Sequence, residues 1–257
     1  FVNYARLDGF DVSRELVAYD KLQDIDRWLL SKLQELIKVA HESLANFNVA
    51  GLIDEAERFI ERLSNWYIRR NRRRYWRPKS DSDTDKLAAY QTLYRVLVDL
   101  AKILAPICPF ITEDMYQNLV RKVDQTAPES VHHTEYPAFD QKLYDEKLAG
   151  DMDMVADVVS RVLSIRENKK IRVRQPLATV TAVATPAKQE TLRRFESHIL
   201  DELNIKELAF TTELGEFVTY TIKPNFKTLG AKVGKAMGQV RQLIAEADPA
   251  DLAAKAH

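Results

Sequence analysis

Glycine and cysteine are scarce in this chain. Only 7 of its 257 residues are glycine, and three of those, Gly230, Gly234 and Gly238, crowd near the end. Tight turns and backbone-lined loops are therefore few over the first two thirds, and long helices are favoured there. The single cysteine, Cys108, excludes a disulfide framework and a zinc site built on cysteines. It sits in the apolar run LAPICPFI and is expected to be a buried packing residue. No apolar run approaches the roughly 20 residues of a membrane-spanning helix, and no signal-peptide pattern appears. A soluble protein with no membrane partner, located in the cytoplasm, is expected. Net charge is missing too: 38 basic and 38 acidic residues cancel. Attraction to a polyanion by the whole surface is thus excluded, and any such binding must be local.

Against that neutral background one block stands out. Trp66 to Lys79 reads WYIRRNRRRYWRPK, with seven basic residues, no acid and four interleaved aromatics. Dense positive charge beside aromatic faces suits RNA or single-stranded nucleic acid, whose phosphates pair with arginine and whose bases stack. Arg161 to Arg174 is a second basic run, with six basic residues and Glu167 as its one acid. The two runs form a single phosphate-tracking face if their helices end at the same pole. Lys223 to Lys235 adds four lysines spaced by glycines, without a phosphate-loop pattern.

Periodicity predicts a mainly α fold, an antiparallel helical bundle followed by a small α+β domain. Asp24–Phe47 is the first long helix. Asn48 caps a second, whose inner face is expected to carry Leu52, Ile53, Ala56, Phe59, Ile60, Leu63 and Trp66. A third runs from about Asp83 to Leu104, with Ser80 or Ser82 as cap, and is broken by Pro106 and Pro109. A short fourth carries Ile111 to Val123, and a fifth runs from near Asp140 to about Asn168. Beyond it, Leu177–Val183, Ile205–Thr212 and Glu216–Ile222 read as strands, the last two joined by a turn at Gly215. Pro186–Leu203 and Ala231–Ala247 read as helices. The domains are placed at 1–175 and 176–257.

Chemistry of catalysis is thin. His132 and His133 adjoin in a loop with no ligand at metal spacing, and His41, His198 and His257 stand apart. There is no phosphate loop, dinucleotide fingerprint or nucleophile elbow. No catalytic residue and no metal are assigned.

Six phrases occur in a familiar order: DKLQDIDRWLLSKLQ, FNVAGLIDEAERFIERLSNWYIRRNRRRYW, LVDLAKILAPICPFITEDMYQNL, SVHHTEYP, IRENKKIRVRQPL and KPNFKTLGAKVGKAM. Together they resemble the C-terminal, post-catalytic region of isoleucyl-tRNA synthetase, a class I aminoacyl-tRNA synthetase, over nearly the whole chain. The helix pair around LAPICPFITEDMYQNL is shared with valyl, leucyl and methionyl relatives. The arginine block, RENKKIRVRQPL and KPNFKTLG point to the isoleucine enzyme. The resemblance implies an anticodon-binding bundle, then a junction domain, in an enzyme that joins isoleucine to its tRNA with ATP and Mg²⁺. The signatures His-Ile-Gly-His and Lys-Met-Ser-Lys-Ser do not occur, so the catalytic domain is expected elsewhere in a longer chain, as a partner to this region. The start at Phe1 agrees with an excised piece, and more chain is expected after His257. Alone, the piece is expected to be inactive.

The expected partner is the anticodon stem-loop of the isoleucine tRNA. Arg69, Arg70, Arg72, Arg73, Arg74, Arg77 and Lys79 are the first set of phosphate or base-edge contacts. Arg166, Lys169, Lys170, Arg172 and Arg174 are the second. Tyr75 and Trp76 are the candidate stacking rings, while Trp66 and Tyr67 are assigned to the core. Two or three of the arginines are expected to pair with acids instead. Two other readings stand: the same region of a valyl or another sister synthetase, and a helical protein–protein scaffold whose arginines meet an acidic partner.

Overall fold

A computed structural model of the chain describes residues 1–78, 83–213 and 242–243. The chain divides into two compact units, Phe1–Lys169 and Lys170–His257. The division falls at the end of a long helix, a few residues before the position expected from sequence.

The first unit is helical. α1 (Val2–Leu7) precedes an extended stretch and a single 3₁₀ turn, Tyr19–Lys21. α2 (Asp24–Ala45) is the central element: Trp28, Leu29, Leu33, Leu36, Ile37 and Ala40 are all sealed from solvent. It packs against α3 (Val49–Glu61), α5 (Thr84–Leu104) and α7 (Glu146–Asn168). The turn from α2 to α3 is a Schellman closure. Phe47 N–H donates to the Leu44 carbonyl at 3.2 Å and Asn48 N–H to the Ser43 carbonyl at 2.8 Å. The left-handed position in it, φ 54°, is occupied by Phe47 rather than glycine, and the ring is 91% exposed. Asn48 then caps α3, its Oδ1 accepting from Gly51 N–H at 3.1 Å.

α3 runs without a break into α4 (Arg69–Trp76) through a wider π-helical segment, Arg62–Ile68. Its inner face is narrower than expected. Leu52, Ala56, Phe59, Leu63 and Trp66 are buried, but Ile53 and Ile60, at the edge of the stripe, are 37% and 39% exposed.

Asp83 caps α5, accepting from Lys86 N–H at 2.9 Å. Ser80 and Ser82 lie outside the described residues. Pro109 starts α6 (Pro109–Tyr116), which widens into a π turn at Gln117–Arg121. Cys108, expected in the core, is exposed at the N-cap of α6. Phe110 and Ile111, which follow it, are 90% and 64% exposed, while Ala105 before it is buried. The fifth helix starts later than expected. Gln141–Leu143 is a 3₁₀ turn, and Asp145 then caps α7 by accepting from Leu148 N–H at 2.9 Å.

In the second unit, β1 (Leu177–Val183) and β2 (Ile205–Thr211) pair in parallel, Leu177 opposite Ile205 and Val183 opposite Thr211. A parallel pair needs a crossover. α8 (Pro186–Arg194) and α9 (Glu196–Leu203) provide it, divided at Phe195 where one helix was expected. Asn204 closes α9 in the left-handed region, φ 49°. The expected strand at 216–222, its turn at Gly215 and almost all of the last helix lie outside the described residues.

Candidate nucleic-acid interface

α4 sorts its arginines onto two faces. Asn71, Arg74 and Tyr75 are buried, while Arg69, Arg72, Arg73 and Trp76 are exposed. The exposed set follows i, i+3, i+4, i+7 and forms one continuous stripe on the helix. The rotation is set upstream, where Trp66 and Tyr67 are drawn into the core. Tyr67, Asn71 and Tyr75 then follow at steps of four along the inward side.

Below the stripe lies a buried polar network. Asp26, fully sealed on α2, accepts from Arg74 Nη1 at 2.9 Å, Arg74 Nη2 at 2.8 Å and Tyr67 Oη at 2.7 Å. Arg74 also donates to Asn71 Oδ1 at 2.8 Å and to the Asp85 carbonyl oxygen at 2.9 Å. Burial alone pulls the guanidinium pKa down, but hydrogen bonding and charge from Asp26 overcome that and hold it above its ordinary value. Such a pair adds little net stability over a well-packed apolar core, because both ions lose their hydration. What it supplies is register: two planar groups meet in one geometry, so α2, α4 and the start of α5 are locked together.

The structure corrects two of the expected contacts on this helix. Arg74 is spent on Asp26. Tyr75 is no stacking platform, since it is buried, its hydroxyl donates to the Ala89 carbonyl at 3.2 Å and its ring meets Tyr90 edge-on at 5.2 Å. Arg77, exposed, bridges Asp83 and Asp85, the latter at 2.9 Å. Arg70 is half-buried and lies 4.4 Å from the Trp66 ring centre. Trp76 is 60% exposed, with the Arg72 guanidinium 5.9 Å from its ring centre. Lys79 lies outside the described residues.

The second basic run is divided. Arg166 is 2% exposed in the last turn of α7, so burial removes it from any solvent-facing set. Lys169, exposed, closes the helical unit. Lys170, Arg172 and Arg174, also exposed, open the second unit, with Lys170 in the left-handed region at φ 57°. The lysines of 223–235 lie outside the described residues. Among the described residues, no three His, Cys, Asp or Glu side chains gather as a metal site. No helix there is long and apolar enough to cross a membrane.

Residues 26–182 match the family model described as the anticodon-binding domain of tRNA ligase. The chain belongs to that family. Its anticodon-binding domain takes in the whole Asp26–Arg74 network and the exposed stripe. The chain is 40% identical over 245 residues to the isoleucine–tRNA ligase of Chlamydia trachomatis serovar L2, covering 95% of this chain and 23% of that protein. To that of Dehalococcoides mccartyi strain CBDB1 it is 45% identical over 209 residues, 81% of this chain and 20% of the relative. To that of Clostridium novyi strain NT it is 38% identical over 253 residues, 98% of this chain and 24% of the relative. The chain thus spans about a fifth to a quarter of the length of the curated relatives it matches.

The network's anchor, Asp26, did not stand out in the sequence. The signal for it was one heptad: Tyr67 and Arg74 are seven apart, so a buried Tyr67 places Arg74 on the inner face, where an acid must meet it.

Proposed function

We propose that this chain is the tRNA-binding region of an isoleucine–tRNA ligase and grips the anticodon stem-loop of the isoleucine tRNA. The observation that carries this reading is the exposed stripe Arg69, Arg72, Arg73 and Trp76 on a helix fixed from beneath by Asp26 and Arg74. Family membership supports it, as do the names of the relatives. The arginines make phosphate contacts, which give affinity and position. Trp76 offers a face for one unstacked base, and Arg72 beside it adds charge to that face. Lys169, Lys170, Arg172 and Arg174 are secondary phosphate contacts in this proposal.

Joining isoleucine to tRNA with ATP and Mg²⁺ is the work of the whole ligase, and none of the residues described here is assigned to it. The setting is cytoplasmic translation. Competition binding tests the assignment. Isoleucine tRNA is expected to displace itself more effectively than valine tRNA, and equal displacement would point to a sister synthetase. Saturable binding to an acidic protein but not to tRNA would favour the scaffold reading.

A further inference from the structure

Lys86 is an unusual lysine. It is 3% exposed and lies in the first turn of α5, where the helix dipole disfavours positive charge. Burying an ammonium there is costly unless it is fully partnered. Its Nζ lies 2.6 Å from Asp8 Oδ2 and donates to the Arg77 carbonyl at 2.7 Å. That carbonyl sits at the C-cap of α4, directly after Trp76. Asp8, just beyond α1, also accepts from Tyr90 Oη at 2.5 Å. Tyr90 in turn stacks on Phe10 at 5.3 Å and meets Tyr75 of α4 edge-on at 5.2 Å. The first ten residues therefore reach the end of the basic helix twice, through one ion pair and through one ring cluster.

We infer that Asp8 and Lys86 are positioning residues for RNA binding: they clamp the last turn of α4 and so hold Trp76 where a base can stack. This rests on the tRNA reading above and extends it to a segment with no basic cluster. The segment Phe1–Phe10 thereby becomes a lever on the interface, since any displacement of Asp8 is felt at the carbonyl that follows Trp76.

The test uses the full chain with Asp8→Asn and Lys86→Met, and with Asp11→Asn, just past that segment and with its carboxylate bonded to nearby Ser13, as a control. Two quantities are read: amide hydrogen exchange in the last turn of α4, and affinity for isoleucine tRNA over a salt series. In Asp8→Asn, exchange at the Arg77 amide, which donates to the Arg73 carbonyl at 3.2 Å, is expected to rise about tenfold, the equivalent of one charge-assisted hydrogen bond. The tRNA affinity is expected to fall several-fold with the salt slope unchanged, because every phosphate-binding side chain is still present. Asp11→Asn is expected to change neither. If Lys86→Met fails to fold, Tyr90→Phe, which removes one donor to Asp8 and keeps the ring, is expected to shift exchange the same way by less. Unchanged exchange at α4 in the folded variants overturns the clamp. Raised exchange with unchanged tRNA affinity overturns its role in binding. Absence of tRNA binding by the unaltered chain sinks the tRNA reading instead, and exchange then decides the clamp by itself.

Discussion

Arg74 and Asp26, 48 positions apart, meet two nitrogens to two oxygens at 2.9 and 2.8 Å inside the bundle. The arginine block therefore contains its own anchor. One arginine is buried so that its neighbours on the other face of the same helix keep a fixed orientation.

Removing either partner of that pair should strongly destabilise the unit. Arg74→Ala leaves a sealed carboxylate uncompensated and is expected to cost about 3–5 kcal/mol. Arg73→Ala, one position away and exposed, is expected to change stability by no more than about 0.5 kcal/mol. Urea unfolding of the two variants checks the contrast.

Two glycines should respond differently to alanine. A Cβ on Gly51 would come within 2.5 Å of Asn48 Nδ2, so Gly51→Ala displaces the cap of α3. The weakened cap costs about 1 kcal/mol, and the gain in helix propensity, roughly 0.5–1 kcal/mol, offsets most of it, leaving stability nearly unchanged. A Cβ on Gly150 meets nothing within 4 Å in the interior of α7, so Gly150→Ala should stabilise by roughly 0.5–1 kcal/mol. Thermal melts of both variants show the difference.

Stability should fall in alkali. Burial pushes the Tyr136 phenol up to about 12, and burial raises Tyr67 and Tyr75 as well. The unfolded chain releases these protons near pH 10, before the folded chain does. A raised folded pKa contributes stability that is whole below about pH 10 and is lost as the pH climbs toward about 12. Unfolding free energy against pH should bend downward in that window. Tyr136→Phe should flatten the bend, at a cost of about 1 kcal/mol at neutral pH for its missing bond to the Ile103 carbonyl.

Neighbouring rings should part company. Trp76→Ala is expected to weaken tRNA binding by about 1–3 kcal/mol and leave folding intact. Tyr75→Ala opens a cavity beside Tyr90 and is expected to cost about 3–5 kcal/mol of stability. Paired binding and denaturation measurements separate the two roles.

Much of this was legible where local chemistry decides. Asn48 was readable as a cap because its side chain satisfies an amide three residues on. Leu177–Val183 was readable as a strand because its β-branched alternation is bounded by Pro176 and Pro186. What depends on partners distant in sequence was hidden. The Tyr67–Arg74 heptad points Arg74 inward but does not say that the acid meeting it is Asp26, and nothing near Tyr75 announces Ala89 and Tyr90. The π-helical segment at 62–68 leaves no periodic mark of its own, yet it precedes the turn that sorts the arginines by face. Ile53 and Ile60 were placed inside by periodicity and Cys108 by its apolar run, and neither says whether a neighbour covers that side.

The most direct test of the central claim is the salt dependence of isoleucine tRNA binding. The slope of log affinity against log salt should shrink by about two to three when Arg69, Arg72 and Arg73 are all replaced by alanine, about 0.7–0.9 for each phosphate that is no longer neutralised. The variant should still unfold at the denaturant concentration of the unaltered chain. A folded triple variant with an unchanged slope would contradict the account, because the exposed stripe would then not be touching the phosphates.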